Sequence, residues 1–348
     1  MHRVFVVSLA LLAAIAILAS PGLAQQKPAA APYKVLRTAK VGGAGGFDYV
    51  YADSAARRLY IPRAGNPGRI TVFNLDTLAP ADEIPGVTAR GTAIDPKSGH
   101  GFVSSKPVVM FDTKTLAPIK TIDVQGNPDG ILFDSFNERV YIWSHVAPNA
   151  TVINAADGSV AGTMDLGGMP EQAVSDGRGH IYVDLEDKGK IAVVDAAAMK
   201  VTGAYDLAGK GDGCTGLAFD SKNHILFVAC REPQAMVILN SNDGKIITTL
   251  PIGAGTDGAV FNPATMEAFS SQRDGTLTVV KENSPTSFAV EQTVTTMPSA
   301  KTLTLDSKTN HIFLIAASYA APAPAPAGGR AGRGQMVPDS FSILEVGK

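Results

Sequence analysis

The sequence predicts an all-β protein, a seven-bladed β-propeller with four-stranded blades, and three observations lead to this fold class. One phrase occurs seven times: an apolar strand, a turn led by Asp or Asn, and a second apolar strand. Successive copies start 39 to 44 residues apart, which is the length of a propeller blade. The last copy lacks a fourth strand, whereas an unassigned strand pattern precedes the first copy.

The repeated phrase is exemplified by YVYADSAARRLYI and ILFDSFNERVYI. Its turns are led by Asp53, Asp95, Asp134, Asp176, Asp220, Asn262 and Asp306. Two more strand patterns follow each copy, as in AMVILNSNDGKIITTLPIG, which gives four strands per repeat. A small sheet cannot cover its own two faces, so we expect seven of them to stack in a ring. The Asp side chains are expected to cap their own turns.

The two ends of the chain are expected to close this ring. The C-terminal FSILEVGK matches the third strand of the seventh blade, and the N-terminal YKVLRTAKVGG matches its missing fourth strand. We therefore predict that residues 34–41 pair with residues 340–346. Such pairing would complete the seventh blade with its fourth strand.

The first 24 residues have the pattern of a secretory signal peptide. Arg3 is followed by an apolar run over residues 4–18 and by the small-residue sequence PGLA. We expect cleavage before Gln25 and a periplasmic or secreted protein, with a retained membrane anchor as the alternative. No other segment is long and apolar enough to span a bilayer, so no span is expected after cleavage.

The remaining chain is predicted to form a short leader and one domain. Residues 25–32 are rich in Ala, Pro and Gln, which predicts a disordered leader, and residues 33–348 form the propeller. The stretch APAPAPAGGRAGRGQMVP predicts a disordered loop over about residues 320–338. With 348 residues, 45% of them hydrophobic, the chain can bury a large core, and we expect a monomer.

The innermost strand of each blade is expected to run from a top face, where it begins, to a bottom face, where its Asp-led turn lies. Counting five residues back from each turn gives the residues expected around the mouth of the central channel. They are Asp48, Arg90, Asp129, Glu171, Thr215, Asp257 and Lys301. All seven are polar, and we call them the rim residues.

A second set of loops is expected on the same face. It carries Arg63, Lys106, His145, Glu186, Arg231, Arg273 and Tyr319. The predicted ligand site comprises the seven rim residues together with Arg63, His145, Arg231 and Arg273. Its cations suit an anionic or sugar-like small molecule or an acidic peptide. The alternative is a solvated rim whose charges pair with one another.

No catalytic residues, cofactor or metal ligands are assigned from the sequence. It lacks a G-x-S-x-G elbow, an H-E-x-x-H helix, a P-loop and a C-x-x-C-H haem site. His100, His180, His224 and His311 follow turn residues in four different blades, so they are not expected to converge on one ion. Ca²⁺ held by rim carboxylates such as Asp129 and Asp257 is the one metal left open.

Cys214 and Cys230 are the only cysteines. Cys214 opens the inner strand of the fifth blade and Cys230 ends the next strand. If Phe219 pairs with Ile225, the two cysteines lie directly opposite each other in the hairpin. We predict a disulfide, which an oxidising compartment would preserve, with two buried thiols as the alternative.

The chain resembles the YVTN-repeat β-propellers, the periplasmic YncE-like group, over about residues 33–348. Phrases such as RLYIPRAGNPGRITVFNLDT and RVYIWSHVAPNATVINAADG carry the resemblance, although the Tyr-Val-Thr-Asn tetrad itself is absent. The resemblance implies an exported propeller with a binding or scaffold role. It specifies a fold better than it specifies chemistry.

Three functions follow from these observations. The first is a non-catalytic protein that binds a small molecule or a protein at the top face. The second is a top-face hydrolase such as a lactonase-like enzyme, for which Asp48, Asp129, Glu171, Asp257, Arg90 and His145 are the candidate residues. The third is nucleic-acid binding, which the resemblance permits and which the formal net charge of −2 disfavours.

Overall fold

The structure is a computed structural model that describes residue 1 and residues 31–147, 149–321 and 334–348. The predicted signal segment lies outside these residues apart from Met1, and so do residues 25–30 of the predicted leader and 322–333 of the predicted loop. Residues Pro32–Lys348 form one compact unit. Nowhere in the described ranges does a helix reach the length and hydropathy of a membrane span.

The described residues contain 28 strands arranged in seven four-stranded antiparallel sheets, as the repeat predicted. Blade 1 consists of β2 (Tyr51–Asp53), β3 (Arg58–Arg63), β4 (Arg69–Asn74) and β5 (Pro80–Pro85). Blade 2 consists of β6 (Ala89–Asp95), β7 (His100–Ser105), β8 (Val108–Asp112) and β9 (Pro118–Ile122). Blade 3 consists of β10 (Pro128–Asp134), β11 (Arg139–Ser144), β12 (Ala150–Asn154) and β13 (Val160–Met164).

The remaining four blades repeat this order. Blade 4 consists of β14 (Pro170–Ser175), β15 (His180–Leu185), β16 (Lys190–Asp195) and β17 (Lys200–Asp206). Blade 5 consists of β18 (Asp212–Asp220), β19 (Ile225–Glu232), β20 (Ala235–Asn240) and β21 (Ile246–Pro251). Blade 6 consists of β22 (Thr256–Asn262), β23 (Glu267–Gln272), β24 (Thr276–Ser284) and β25 (Ser287–Thr295). Blade 7 consists of β26 (Thr302–Asp306), β27 (His311–Ala316), β28 (Ser342–Gly347) and β1 (Lys34–Lys40).

The ring is closed by the pairing of the two ends of the chain, which confirms the prediction. Strand β1 lies antiparallel to β28, from Lys34 opposite Gly347 to Lys40 opposite Ser342. Blade 7 is therefore assembled from both ends of the sequence, and its outermost strand comes from the N-terminal side. The predicted loop leaves this blade between β27 and β28, where a bridge joins Tyr319 to Met336 at its base.

All seven turn residues cap their own turns, as predicted. In each turn a side-chain oxygen of the leading Asp or Asn accepts a hydrogen bond from a backbone N–H two or three residues later, at 2.7–3.2 Å. Such side chains favour a turn because they replace a backbone acceptor. The capped turns fix where each inner strand ends, and so they also fix which residues lie at its other end.

The hydrophobic core lies between the blades, in seven clusters of buried residues that each draw on two neighbouring blades. Between blades 1 and 2, for example, Tyr60 and Val72 pack with Val103 and Phe111. Between blades 6 and 7, Phe269 and Leu277 pack with Leu344. Since each core belongs to two sheets, no blade is expected to be stable alone.

The cysteine prediction is confirmed, but by a different register from the one assumed. Asp220 pairs with Ile225, so Phe219 lies opposite Leu226 and the assumed pairing of Phe219 with Ile225 is wrong by one residue. An irregularity between Cys214 and Gly216 shifts the register by one position and restores the opposition of Cys214 to Cys230, which form a disulfide. A β-bulge inserts one extra residue in one strand, and this insertion offsets the one-residue error in the assumed pairing.

Truncation of a buried closure residue tests the dependence of the fold on ring closure. Leu344 is fully buried on β28, and Leu344→Ala should reduce the free energy of unfolding by about 2–5 kcal/mol because it leaves a cavity in the last inter-blade core. Leu36→Ala, at an exposed position of the adjacent β1, should change it by about 0.5 kcal/mol or less. Urea denaturation followed by circular dichroism measures both values. Equal effects of the two substitutions would contradict a core role for this closure.

Candidate functional site

The predicted rim residues converge at the top of the channel, and most of them belong to one continuous chain of ion pairs. In this chain, which we call the charge chain, acidic and basic side chains alternate. Its order is Glu186, Arg231, Asp257, Lys301, Asp48, Arg90, Asp129, His145 and Glu171. Residues from all seven blades or the loops that lead into them take part, although they are far apart in the sequence.

One arm of the charge chain is centred on Asp257. Its carboxylate contacts the Lys301 ammonium and the Arg231 guanidinium, and Arg273 approaches it at 3.4 Å. Only 8% of the Lys301 side chain is exposed, and its Nζ also lies 3.2 Å from Asp48 Oδ1. Burial opposes ionisation of Asp257, but the charges of Lys301 and Arg273 hold its pKa below the ordinary value. This arm therefore keeps a buried carboxylate charged by surrounding it with cations.

The other arm of the charge chain ends in a histidine between two carboxylates. Arg90 joins the arms, with Nη1 2.8 Å from Asp48 Oδ2 and Nε 3.2 Å from Asp129 Oδ1. The Nε2 atom of His145 lies 3.0 Å from Asp129 Oδ2 and 3.2 Å from Glu171 Oε1. His145 follows β11, whereas Asp129 and Glu171 lie near the starts of β10 and β14. Three separate segments thus bring one imidazole and two carboxylates together.

The electrostatic environment of this second arm is strongly perturbed. The adjacent carboxylates of Asp129 and Glu171 raise the pKa of His145 to about 10. Burial raises the pKa of Glu171, because a carboxylate loses hydration in the channel wall. Burial and then the charge of Glu171 raise the pKa of Tyr49 well above its ordinary value, so Tyr49 is a neutral donor, with its hydroxyl 2.6 Å from Glu171 Oε2.

Tyr49 and Gln172 are site residues that the sequence reasoning missed. Gln172 extends from blade 4 to blades 5 and 6, where its Oε1 accepts from the amides of Leu217 and Ala259 at 3.0 Å each. Its Nε2 also donates to the Ala259 carbonyl at 2.9 Å. Tyr49 likewise extends from blade 1 to Glu171 of blade 4. These two side chains span the channel just beneath the rim.

A sequence signal for these two residues does exist. The position that follows each rim residue holds, in blade order, Tyr49, Gly91, Gly130, Gln172, Gly216, Gly258 and Thr302. A Cβ at Gly91 would meet the Tyr49 side chain at 3.4 Å, and one at Gly130 would lie 3.6 Å from its hydroxyl. A Cβ would lie closer still to the next inner strand, 2.7 Å from the Glu171 carbonyl at Gly130 and 2.8 Å from Gly258 at Gly216, so the glycines let neighbouring inner strands approach each other. Tyr49 and Gln172 are the large exceptions to this pattern.

Two predicted site residues are engaged elsewhere. Arg63 is buried, donates to the carbonyls of Gly42 and Ala44, and places its guanidinium carbon 3.5 Å from the centre of the Phe341 ring. This placement gives Arg63 a structural role in holding the loop that leads into blade 1. Thr215 is also buried, and its hydroxyl donates to the Thr256 carbonyl at 2.9 Å. Thr215 is thus the rim residue that stays outside the charge chain.

One cavity lies on the top face and another on the bottom face of the propeller. At the top, a cavity of about 410 Å³ lies between blades 1, 2 and 3, with Arg90 and Lys106 in its wall. At the bottom, a cavity of about 590 Å³ is lined mainly by apolar side chains, among them Leu132, Phe219 and Phe261. Charged groups therefore surround the upper opening of the channel, and apolar groups surround the lower one.

The histidines that follow the capped turns make separate contacts on the bottom face. His100 Nδ1 lies 2.9 Å from the Ala155 carbonyl, His180 Nδ1 lies 2.9 Å from Asp176, and His311 Nδ1 lies 2.8 Å from Glu345. Among the described residues, the group that could hold a metal ion with three side chains is Asp129, His145 and Glu171. Asp257, which the sequence reasoning had paired with Asp129 for Ca²⁺, lies in the other arm of the charge chain.

Comparison with known proteins supports the fold and leaves the family open. No protein family and no curated protein matches this sequence. Among solved structures, the chain is similar to U3-55K, a WD40 propeller, with a TM-score of 0.66 and 11% sequence identity. The similarity covers 90% of this chain and 98% of that one. At this identity the likeness shows a shared propeller architecture alone.

Removal of the Asp257 charge tests the buried arm of the charge chain. Asp257→Asn should lower the free energy of unfolding by about 3–5 kcal/mol, because Lys301 would remain buried with its main partner gone. Adding Lys301→Met should recover part of that loss. The matched control is Asp206→Asn, since Asp206 is 65% exposed and lies 3.6 Å from Lys190; it should change stability by about 0.5 kcal/mol or less. Chemical denaturation of Asp257→Asn, Lys301→Met, the double substitution and the control measures the coupling, and strictly additive effects of Asp257→Asn and Lys301→Met would refute it.

Proposed function

We propose that this protein is an exported β-propeller that binds a small anionic or polar ligand at the top of its channel. The observation that carries the proposal is the cavity of about 410 Å³ whose wall holds two cations, Arg90 and Lys106, and one carboxylate, Asp48. Arg90 keeps 51% of its side chain exposed although it is ion-paired, and the exposed Lys106 donates to the Gly126 carbonyl at 2.7 Å. Arg and Lys are the side chains that recognise carboxylates in such cavities.

The form of the cavity supports a ligand of small size. Its wall also contains Ser104, Ser105 and Asn127, whose polar groups can orient a ligand that the cations attract. Phe47 contributes an apolar surface to the same wall. A few convergent polar groups on a mixed wall are typical of small-molecule sites, and the protein itself remains without an assigned catalytic role in this proposal.

Export and family membership are part of the same proposal. The N-terminal sequence has the pattern of a secretory signal, and the Cys214–Cys230 disulfide suits an oxidising compartment such as the periplasm or the extracellular space. The repeat phrases resemble those of the YVTN-repeat, YncE-like propellers, and a seven-bladed ring agrees with that assignment. Mass determination of the protein recovered from the periplasm or medium should give a chain that begins at Gln25.

Ligand binding is tested with a panel of acetate, succinate and gluconate, with glucose and putrescine as neutral and cationic comparisons. We expect a carboxylate to raise the melting temperature and to bind in calorimetry. Arg90→Gln should weaken that binding about 10-fold or more, since a hydrogen bond to a charged group contributes about 1.5–3 kcal/mol. Arg178→Gln, an exposed arginine on the bottom face, is the matched control.

Two outcomes would overturn this proposal. One is a panel in which putrescine binds and no carboxylate does, because the cavity would then select cations. The other is carboxylate binding of equal strength in the wild type and in Arg90→Gln, because the ligand would then lie elsewhere.

A top-face hydrolase is the second candidate function, and the position of His145 favours it. With a pKa raised to about 10, His145 would act as a general acid, and Asp129 or Glu171 beside it would be the base that activates water. The test is turnover of small lactones such as δ-valerolactone and gluconolactone by the purified protein. Hydrolysis that disappears in His145→Gln would support an enzyme, and an inactive wild type would leave binding as the function.

A further inference from the structure

Asp129, His145 and Glu171 form a compact group of metal-ligating side chains that come from three different segments. Their ligand atoms, one imidazole nitrogen and two carboxylate oxygens, all lie within 4.8 Å of one another. The two oxygens nearest the imidazole belong to different residues, Asp129 Oδ2 at 3.0 Å and Glu171 Oε1 at 3.2 Å. The Asp129 side chain is only 7% exposed, so the group lies in the channel wall and not on an open surface.

These separations match those between ligands that share one ion. Metal–nitrogen and metal–oxygen bonds of roughly 2.0–2.2 Å place neighbouring ligand atoms about 2.9 Å apart at right angles and about 3.4 Å apart in a tetrahedron. The distances from His145 Nε2 to the two carboxylates fall between these values. The two contacts of His145 are therefore compatible with ligands that share one ion.

The outer oxygens of both carboxylates are held by neighbouring residues. Arg90 Nε lies 3.2 Å from Asp129 Oδ1, and Arg90 is itself held by Asp48 at 2.8 Å. The Tyr49 hydroxyl donates to Glu171 Oε2 at 2.6 Å. Each carboxylate thus turns one oxygen toward His145. The other oxygen accepts a hydrogen bond in Glu171, whereas Asp129 Oδ1 lies at ion-pair distance from Arg90 without a hydrogen-bond partner among the described residues. Outer partners that orient ligand side chains in this way are characteristic of protein metal sites.

The distribution of charge provides a separate argument for a cation at this end of the rim. Both ends of the charge chain are glutamates of blade 4 or its adjoining loop, Glu171 and Glu186. Asp184, on β15 of the same blade, is buried, and burial and then the charge of Glu171 raise its pKa well above the ordinary value, so it adds no charge here. The two glutamates are thus the charged acids of this blade in the charge chain, and Arg231 is paired with Glu186 and not with Glu171.

We propose that Asp129, His145 and Glu171 bind a divalent transition-metal ion, of which Zn²⁺ is the representative. A mixed set of one imidazole and two carboxylates suits Zn²⁺, Mn²⁺ or Fe²⁺, whereas Ca²⁺ and Mg²⁺ prefer oxygen ligands alone. Two carboxylates balance the charge of the ion. Three protein ligands leave at least one coordination position for water or another ligand. The proposal stands on these contacts and does not require that a carboxylate ligand bind.

The test is calorimetric titration of Zn²⁺ into the chelator-treated full protein in a buffer without carboxylates. We expect one ion per chain with a micromolar or tighter Kd, and binding of Ca²⁺ and Mg²⁺ that is at least 10-fold weaker. His145→Gln and Glu171→Gln should each weaken Zn²⁺ binding at least 10-fold. His180→Gln removes a histidine that contacts an aspartate on the bottom face and should leave the affinity unchanged.

X-ray absorption at the zinc edge of the loaded wild type gives a readout that does not depend on any variant. The spectrum should show one imidazole and otherwise oxygen ligands at about 2.0–2.2 Å. Two or more imidazoles, a sulfur ligand, or no saturable Zn²⁺ binding would overturn the proposal. So would an unchanged affinity in His145→Gln, because the group would then be a set of ion pairs only. Zn²⁺ binding without carboxylate binding would sustain this site while refuting the proposed function.

Discussion

Ring closure through the pairing of β1 with β28 is the constraint on which the rest of the structure depends. Every hydrophobic cluster in the described part of the chain is shared by two blades, so each sheet is completed only by its neighbours. Closing the ring gives the first and seventh blades the contact that all the others obtain from consecutive repeats. The channel mouth exists only as a result of this closure, because no single blade contributes more than a few of its side chains.

The charge chain shows how such a convergence is tolerated. Seven inner strands that begin with polar residues bring charges of both signs out of water together, which would be costly if any were left alone. Alternation solves the problem, since Asp48 links Arg90 to Lys301 and Asp257 is surrounded by cations. Thr215, the rim residue of blade 5, is uncharged and lies outside the charge chain. At this blade Arg231 of the outer loops extends the charge chain from Asp257 to Glu186. The sequence analysis offered a rim of charges that pair with one another as the alternative to a ligand site, and this alternative describes most of the charge chain. The top cavity lies beside Arg90, the partly exposed arginine of that chain.

The fold was predictable from the sequence because capped turns recur at a blade-length spacing and each cap fixes the end of one hairpin. The rim positions followed from a simple count for the same reason. The exact register of β18 against β19 was not predictable, because an irregularity beside Cys214 shifts the pairing by one residue and no residue type in the local sequence indicates it. Arg63 was placed at the site because its position in the repeat resembles that of His145, yet its side chain turns under a glycine-rich loop and stacks on Phe341. Tyr49 and Gln172 were missed because the count stopped one residue short of them.

The sign of the charges explains why one end of the circle differs from the rest. Within the charge chain, including Arg273, five carboxylates face four cations that are always charged, and His145 supplies the fifth positive charge only when it holds a proton. Lys301, Arg90 and Arg231 each join two carboxylates from different residues. His145 also joins two carboxylates, but its imidazole can exchange its proton for a metal ion while the ring stays in place. A divalent ion bound there would neutralise the charges of Asp129 and Glu171 directly. His145 would then be the one member of the charge chain whose contacts change when an ion binds.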